Sequence, residues 1–200
     1  GAKEGAYLET DPPAPLGIYG QTKLAGEEAI RATGCRHLIL RTSWVYAARG
    51  NNFVKTILRL AEERDEIKIV CDQIGAPTSA ELLADVTACC LYRIKHSAFL
   101  ANQPGGTYHL AASGTTSWHG LAQFIVDEAR RHGVRLCASS ENVLPIPTSE
   151  YPLPAKRPAN SQLVTTKISE TFGLQLPSWQ LHAKRVVAEI VYSSRISDRG

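Results

Sequence analysis

A tyrosine and a lysine four residues apart are the pair in this chain whose types and spacing best suit proton transfer. Tyr19 and Lys23 lie in the segment 18–23, IYGQTK, and residues four apart share one face of a helix. An ammonium beside a phenol favours the ionised phenolate. Tyr19 could therefore give a proton to a carbonyl oxygen, or take one from an alcohol, near neutral pH. With seven tyrosines in the chain, one such pair also arises by chance, so the surrounding sequence has to decide.

The glycines matter next, because a phenol supplies protons but no hydride and the pair therefore implies a reducing cofactor. Dinucleotide-binding folds hold the pyrophosphate at a glycine-rich turn after the first strand. None of the 15 glycines forms such a turn; the segment 17–20, GIYG, comes nearest but contains Tyr19 itself. We therefore expect the chain to be the C-terminal piece of a longer protein, with the proton-transfer half of a hydride-transfer site.

The apolar periodicity predicts alternating helices and strands around this pair. Helices are expected at residues 17–33, 52–64, 79–95, 117–132, 166–172 and 179–191, and strands at 37–41, 67–71 and 106–112. The strand at 37–41 is almost entirely apolar, which is typical of a strand buried on both faces in a parallel sheet. The pattern therefore indicates an α/β fold. The proline-rich segment 144–160 is expected to be extended, and the residues from Ser193 onward to fray.

Composition excludes several classes of protein. The chain has 200 residues, of which 44% are hydrophobic and 20% charged, as in ordinary globular proteins. The net charge of +3 is small and the basic residues are scattered, so no nucleic-acid partner is expected. No run of 18 apolar residues is present, so no membrane span is expected.

The cysteines and histidines favour a cytoplasmic protein without a transition metal. The cysteine count is odd, and most of these residues lie in apolar runs, which suggests reduced thiols; they are Cys35, Cys71, Cys89, Cys90 and Cys137. No CxxC pair occurs, and the six histidines do not match a metal-binding spacing such as HExxH. We expect packing or surface roles for all of them.

Several spaced motifs resemble one enzyme superfamily, the extended short-chain dehydrogenases/reductases. They are residues 19–27 (YGQTKLAGE), 41–46 (RTSWVY), 50–53 (GNNF), 72–78 (DQIGAPT) and 108–110 (YHL). Within it, residues 115–119 (TTSWH) and 157–161 (RPANS) are similar to the dTDP-4-dehydrorhamnose reductase family. Because the motifs occur in order over nearly the whole chain, they are far more specific than the Tyr–Lys pair alone.

The resemblance implies a fold and a reaction. The fold would be the C-terminal part of a Rossmann-like, doubly wound parallel sheet, with residues 1–47 and 80–113 ending the cofactor domain. Residues 48–79 and 114–200 would form a smaller α/β domain for the nucleotide sugar. The reaction would be reduction of the 4-keto group of a dTDP-bound deoxysugar by NADPH or NADH, giving dTDP-L-rhamnose for cell-surface polysaccharide.

The resemblance also implies roles for individual residues. Tyr19 would protonate the forming 4-oxyanion, and Lys23 would assist Tyr19 and hydrogen-bond the nicotinamide ribose, so both would also contact the cofactor. Trp44 would pack against the sugar at the carboxyl end of the sheet; the alternative is a core aromatic. Arg157 would reach the diphosphate, which a guanidinium suits well; an ordinary surface arginine is equally compatible.

A metal site is implied less directly. Glu81 and Glu189 correspond to positions that resemble an Mg²⁺ site at the dimer contact of some family members, so a homodimer is expected. Two isolated glutamates are more often solvated helix residues. Both readings stay open at this point.

The departures from the family pattern define the remaining alternatives. The glycine loop is absent, and so is the Ser/Thr that completes the catalytic set upstream of the tyrosine, so we expect the 200 residues alone to bind NADPH poorly and to be inactive. One alternative function is sugar-nucleotide epimerisation within the superfamily. Another is a non-catalytic regulatory subunit built on the reductase scaffold, which has no need to keep both Tyr19 and Lys23.

Overall fold

Six α-helices carry most of the regular structure in the part of the chain that the structure describes. The computed structural model describes residues 3–98, 105–151 and 157–197. The helices are α1 Ile18–Ala32, α2 Phe53–Glu63, α3 Ala80–His96, α4 Trp118–Arg131, α5 Thr166–Phe172 and α6 Trp179–Ser197. Five start and end within two residues of the predicted bounds. For α6 the predicted end at 191 and the expected fraying from Ser193 are wrong: the backbone stays helical to Ser197, because no glycine or proline interrupts it.

Nine short strands pair mainly in parallel. They are β1 His37–Arg41, β2 Val45–Tyr46, β3 Ile67–Val70, β4 Ile74–Gly75, β5 Thr78–Ser79, β6 Gly105–His109, β7 Thr116–Ser117, β8 Val143–Ile146 and β9 Asn160–Ser161. In the described residues β1 pairs with β6, β2 with β5 and β3 with β8, all parallel, while β4 lies between antiparallel β7 and parallel β9. The α/β fold class is confirmed.

The proline-rich segment and the third predicted strand differ in detail from the expectation. Within residues 144–160 the chain forms β8 and a 3₁₀ turn, Thr148–Glu150; residues 152–156 of that segment lie outside the described residues. The predicted strand 106–112 forms a ladder only at Gly105–His109. Residues 110–112 are buried, but they form no ladder with β1 because that strand ends at Arg41.

Side-chain caps explain where three of the helices begin. Asn52, Ser79 and Ser117 accept backbone hydrogen bonds at the starts of α2, α3 and α4, as good N-cap residues do.

Helix α4 buries six residues and packs against α2 and α6. In contrast, α1 has no side-chain cap and no buried residue. None of the described helices is long and apolar enough to cross a membrane.

A buried serine–histidine hydrogen bond joins α3 to α6. Ser79 Oγ and His182 Nδ1 are 3.0 Å apart, and both residues are buried. Ser79 Oγ also accepts from Leu82 N, and its hydroxyl hydrogen is free to donate to Nδ1 when that nitrogen carries no proton. Burial, and then the charge of Arg185, hold the pKa of His182 below its usual 6.5, against the opposite pull of Glu81.

This bond predicts a pH dependence of stability. The unfolded chain protonates His182 first, so the stabilisation is complete above pH 6.5 and is lost as the pH falls below that value. His109 is also buried with a lowered pKa, so wild type is compared with His182→Gln. We expect the unfolding midpoint to fall less steeply between about pH 7 and about pH 5.5 in this variant. The exposed His96→Gln serves as control, and an unchanged slope in His182→Gln contradicts the assignment.

Candidate active site

Helix α1 displays the Tyr–Lys pair on an exposed face. The Lys23 ammonium nitrogen lies 5.4 Å from the centroid of the Tyr19 ring, as expected for residues four apart on a helix. The Tyr19 side chain is 77% exposed, so its hydroxyl can reach a ligand. Thr22 Oγ donates to the Tyr19 carbonyl oxygen and thus closes this turn of the helix.

An ion-pair network fixes α1 to the parallel pair β1–β6. Arg41, the last residue of β1, donates from Nε and Nη2 to the two carboxylate oxygens of Glu27, at 2.8 and 2.7 Å. Arg31 donates to the same carboxylate at 2.6 Å and to Thr107 Oγ in β6 at 3.0 Å. The Arg41 contact, ahead of the Arg31 contact, holds the pKa of the Glu27 carboxyl below its usual range. These charged contacts locate a helix that buries no residue of its own.

A cleft of about 240 Å³ lies beside the pair. Its walls come from the proline loop before α1, from one face of α1 and from the end of β1; they are Pro13, Ala14, Pro15, Gly20, Lys23, Leu24, Glu27 and Arg41. Gly20 is required here, because a Cβ at this position would lie 2.8 Å from Pro15 Cβ. The cleft includes Arg41 at the carboxyl end of β1, and this end is the usual ligand side of a parallel sheet.

The loop before α1 is bound to the segment that follows Arg157. Tyr7 pairs in parallel with Leu163, and Asn160 donates from its side chain to the carbonyl oxygens of Lys3 and Gly5. Arg157 itself is exposed. The chain therefore places this arginine at the edge of the loop that leads into α1, with its guanidinium open to solvent.

Trp44 belongs to a group of three aromatic rings. Its ring stacks on Trp118, with centroids 3.7 Å apart and an angle of 11° between the planes, and Phe53 contacts Trp118 at 4.6 Å. All three side chains are only partly buried. Trp44 follows β1 at the carboxyl end of the sheet, where the resemblance places it, but one face of its ring is already covered by Trp118.

Glu81 and Glu189 lie on different helices, α3 and α6. Glu81, in the first turn of α3, is close enough to His182 to influence its pKa. Glu189 is exposed and seven residues beyond His182 on α6, which corresponds to about 10 Å along a helix. Among the described residues no group of three His, Cys, Asp or Glu side chains could hold a metal ion, so the implied Mg²⁺ site has no support.

Glu81 and Tyr46 each carry a buried polar atom that has no hydrogen-bond partner among the described residues. These atoms are Glu81 Oε2 and the Tyr46 hydroxyl oxygen. Burial, and then the Glu81 charge, raise the pKa of Tyr46 well above its usual range. Tyr46 is therefore a neutral phenol that packs in the core, unlike the exposed Tyr19.

No role was predicted from the sequence for three contributors to this region, Glu27, Trp118 and Gly75, although each lies within a motif that carries the resemblance. The spacing 19, 23 and 27 gave a usable signal for Glu27, because residues four apart repeat along one helix face. Nothing local indicated that the missing side chain of Gly75 makes room for the Trp44 ring. Trp118 starts a helix 74 positions after Trp44, and only the fold brings the two together.

Comparison with known proteins agrees with the resemblance seen in the sequence motifs. Residues 1–192 match the family model described as RmlD substrate binding domain. A dTDP-4-dehydrorhamnose reductase from Shigella flexneri is 51% identical over 95% of this chain and 62% of its own length. One from Escherichia coli K12 is 50% identical with the same coverage. The chain thus spans about three-fifths of the length of these curated relatives.

Solved structures agree with the fold. A dTDP-4-dehydrorhamnose reductase from Bacillus anthracis in complex with NADP has a TM-score of 0.75 and 37% identity, covering 92% of this chain and 59% of the other. An orthologue from Clostridium acetobutylicum has a TM-score of 0.80 and 34% identity, covering 94% and 61%. The family model covers nearly the whole sequence, and the chain belongs to the RmlD substrate-binding domain family.

Proposed function

We propose that this chain supplies the proton donor and the sugar-nucleotide site of an NAD(P)H-dependent dTDP-4-dehydrorhamnose reductase. The reaction is reduction of the 4-keto group of dTDP-4-dehydro-L-rhamnose to dTDP-L-rhamnose. The observation that carries the proposal is the exposed Tyr19–Lys23 pair, with 5.4 Å between ammonium and ring centroid, in a chain half identical to proteins with that name. A regulatory subunit has no use for both residues.

The proposed chemistry assigns one proton to Tyr19. A bound nicotinamide cofactor supplies the hydride to C4 of the sugar. Tyr19 donates its phenolic proton to the 4-oxygen, so the ketone becomes an alcohol and the phenol becomes a phenolate. Lys23 stabilises that phenolate through its positive charge. A proton from solvent then restores the phenol.

The residues present fit a nicotinamide cofactor. Lys23 lines the cleft and lies one helical turn from the exposed Tyr19, and its ammonium can donate hydrogen bonds to ribose hydroxyls. NADPH is the proposed donor, supported by the NADP complex of the Bacillus anthracis relative. On the substrate side, Trp44 contacts the sugar and the exposed Arg157 contacts the diphosphate.

A division of the chain into parts of two domains is also proposed. Residues 1–47 and 80–113 belong to the cofactor domain, and residues 48–79 and 114–200 to the sugar domain. The strand pairing supports this division, because β1–β6 joins the two parts of the first set, whereas β3–β8 and β4–β7–β9 lie within the second. Among the described residues, β2–β5 and the isolated bridges Tyr7–Leu163 and Ser113–Ser178 cross between the sets.

Assembly and location complete the proposal. A cytoplasmic protein is supported by the five cysteines, all of which are free. A homodimer is supported by large exposed hydrophobic residues on α3, Leu91 at 56% and Tyr92 at 66% exposed, since such surfaces often become interfaces. Light scattering of the purified gene product tests the dimer.

Product analysis separates the proposed reaction from its rival. The complete gene product that carries this chain is incubated with dTDP-4-dehydro-L-rhamnose and NADPH, and the sugar is identified by NMR. We expect dTDP-L-rhamnose with one NADPH consumed for each sugar reduced. Formation of an epimer that keeps the 4-keto group, without net NADPH consumption, identifies an epimerase and refutes the proposal.

A further inference from the structure

The backbone at Trp44 is held in an unusual conformation. Trp44 has φ +50°, and it is the one non-glycine residue with positive φ in the described part of the chain. A bulky residue rarely adopts this conformation, and such strain tends to cluster at functional sites. The flanking chain enforces it: Thr78 N donates to the Trp44 carbonyl oxygen at 3.2 Å, and Ser43 Oγ donates to that of Ala76.

The Trp44 ring is fixed as firmly as its backbone. Trp118 covers one face in a nearly parallel stack. A Cβ at Gly75 would lie 2.5 Å from Cε2 and 2.8 Å from Nε1 of the same ring. Gly75 is not at positive φ, so the glycine serves this close approach and not a turn. The Phe53 ring packs against Trp118 in a tilted contact.

We propose that Trp118 is a positioning residue, which holds the Trp44 ring in the orientation that contacts the sugar, with Gly75 leaving the space that this orientation needs. The inference rests on the proposed function, because the sugar contact of Trp44 belongs to it. Trp118 acts through Trp44 and does not itself touch the reacting atoms. A free Trp44 side chain would relax its strained conformation and sample other rotamers.

The first arm of the test reads the stack without any substrate. Two stacked tryptophans give an exciton couplet in far-ultraviolet circular dichroism when their in-plane transition moments are crossed. The chain has three tryptophans, and Trp179 packs against Phe124 elsewhere. We expect the couplet in wild type and in Trp179→Phe, and its loss in Trp44→Phe, Trp118→Leu and Gly75→Ala. A couplet that persists in Trp118→Leu overturns the proposal.

The second arm measures steady-state kinetics of keto-sugar reduction with the complete gene product. In Trp118→Leu we expect KM for the sugar to rise about 10-fold, with kcat within about threefold of wild type, since an aromatic contact that orders a binding residue is lost. Gly75→Ala is expected to follow the same pattern. Trp118→Phe, which keeps an aromatic ring against Trp44, is expected to restore KM to within about threefold.

Two controls separate positioning from plain stability. Phe124 lies on the same helix as Trp118, and Phe124→Leu removes its aromatic contact with Trp179. This variant therefore matches the loss of packing in Trp118→Leu, but it is expected to keep the wild-type KM. A wild type that does not reduce the keto sugar refutes the proposed function, and the spectroscopic arm then still decides whether Trp118 fixes Trp44. A Trp118→Leu variant without the couplet but with wild-type KM overturns the positioning role.

Discussion

Replacing Tyr19 with Phe is expected to lower kcat for keto-sugar reduction by about 10²- to 10⁴-fold, the usual contribution of a positioned general acid. The substitution removes one oxygen from a side chain that is 77% exposed, so neither packing nor folding should suffer. KM should change less than about threefold, since the phenol acts mainly in the transition state. The measurement is steady-state kinetics with NADPH and the keto sugar, together with the unfolding midpoint.

A matched substitution makes this result specific. Tyr92 is similarly exposed but lies on α3, where it contacts His96. Tyr92→Phe is expected to keep full activity. Lys23→Met, which retains the length of the side chain but loses its charge, is expected to reduce kcat as well, because the phenolate would lose its nearby cation. Unchanged reduction in Tyr19→Phe rules out the proton-donor role.

Local sequence signals predicted the helices because their causes are local. Asn52, Ser79 and Ser117 cap the helices that the apolar periodicity had predicted. The same periodicity placed Tyr19 beside Lys23, since both lie on one element. Within a helix the spacing in sequence fixes the spacing in space, which is why this part of the candidate site could be predicted.

Contacts between segments distant in the sequence could not be predicted from these local signals. Strands β2 and β5 have two residues each, too few to show an alternating pattern, and their pairing depends on the rest of the fold. The Trp44–Trp118 stack requires a tryptophan at φ +50°, a conformation that residue type argues against. The expectation for Trp44, either sugar contact or core aromatic, could not include a second tryptophan on its face.

Removing the Glu27 carboxylate is expected to displace the helix that carries Tyr19. Helix α1 buries no residue, and the Glu27 side chain is 16% and that of Arg41 22% exposed, so their paired hydrogen bonds are partly shielded from water. In Glu27→Gln we expect kcat to fall about 10-fold, since small misplacements of a catalytic group are costly. The free energy of unfolding should fall by about 1–3 kcal/mol, the usual cost of an unpaired, partly buried charged group.

The pH dependence and two comparison variants complete this prediction. Because Arg41, ahead of Arg31, holds the pKa of Glu27 below 4.5, the stabilisation is present above that pH and is lost as the pH falls through the lowered pKa. Glu63→Gln breaks the exposed pair with Arg59, in which the side chains are 50% and 60% exposed, and should cost less than about 0.5 kcal/mol with full activity. The double variant Glu27→Gln/Arg41→Gln should be more stable than the sum of the two single losses predicts, because neither Glu27 nor Arg41 then remains as a partly buried charge without the other. If Glu27→Gln instead keeps kcat within about twofold of wild type, packing contacts and not this ion pair locate the catalytic helix.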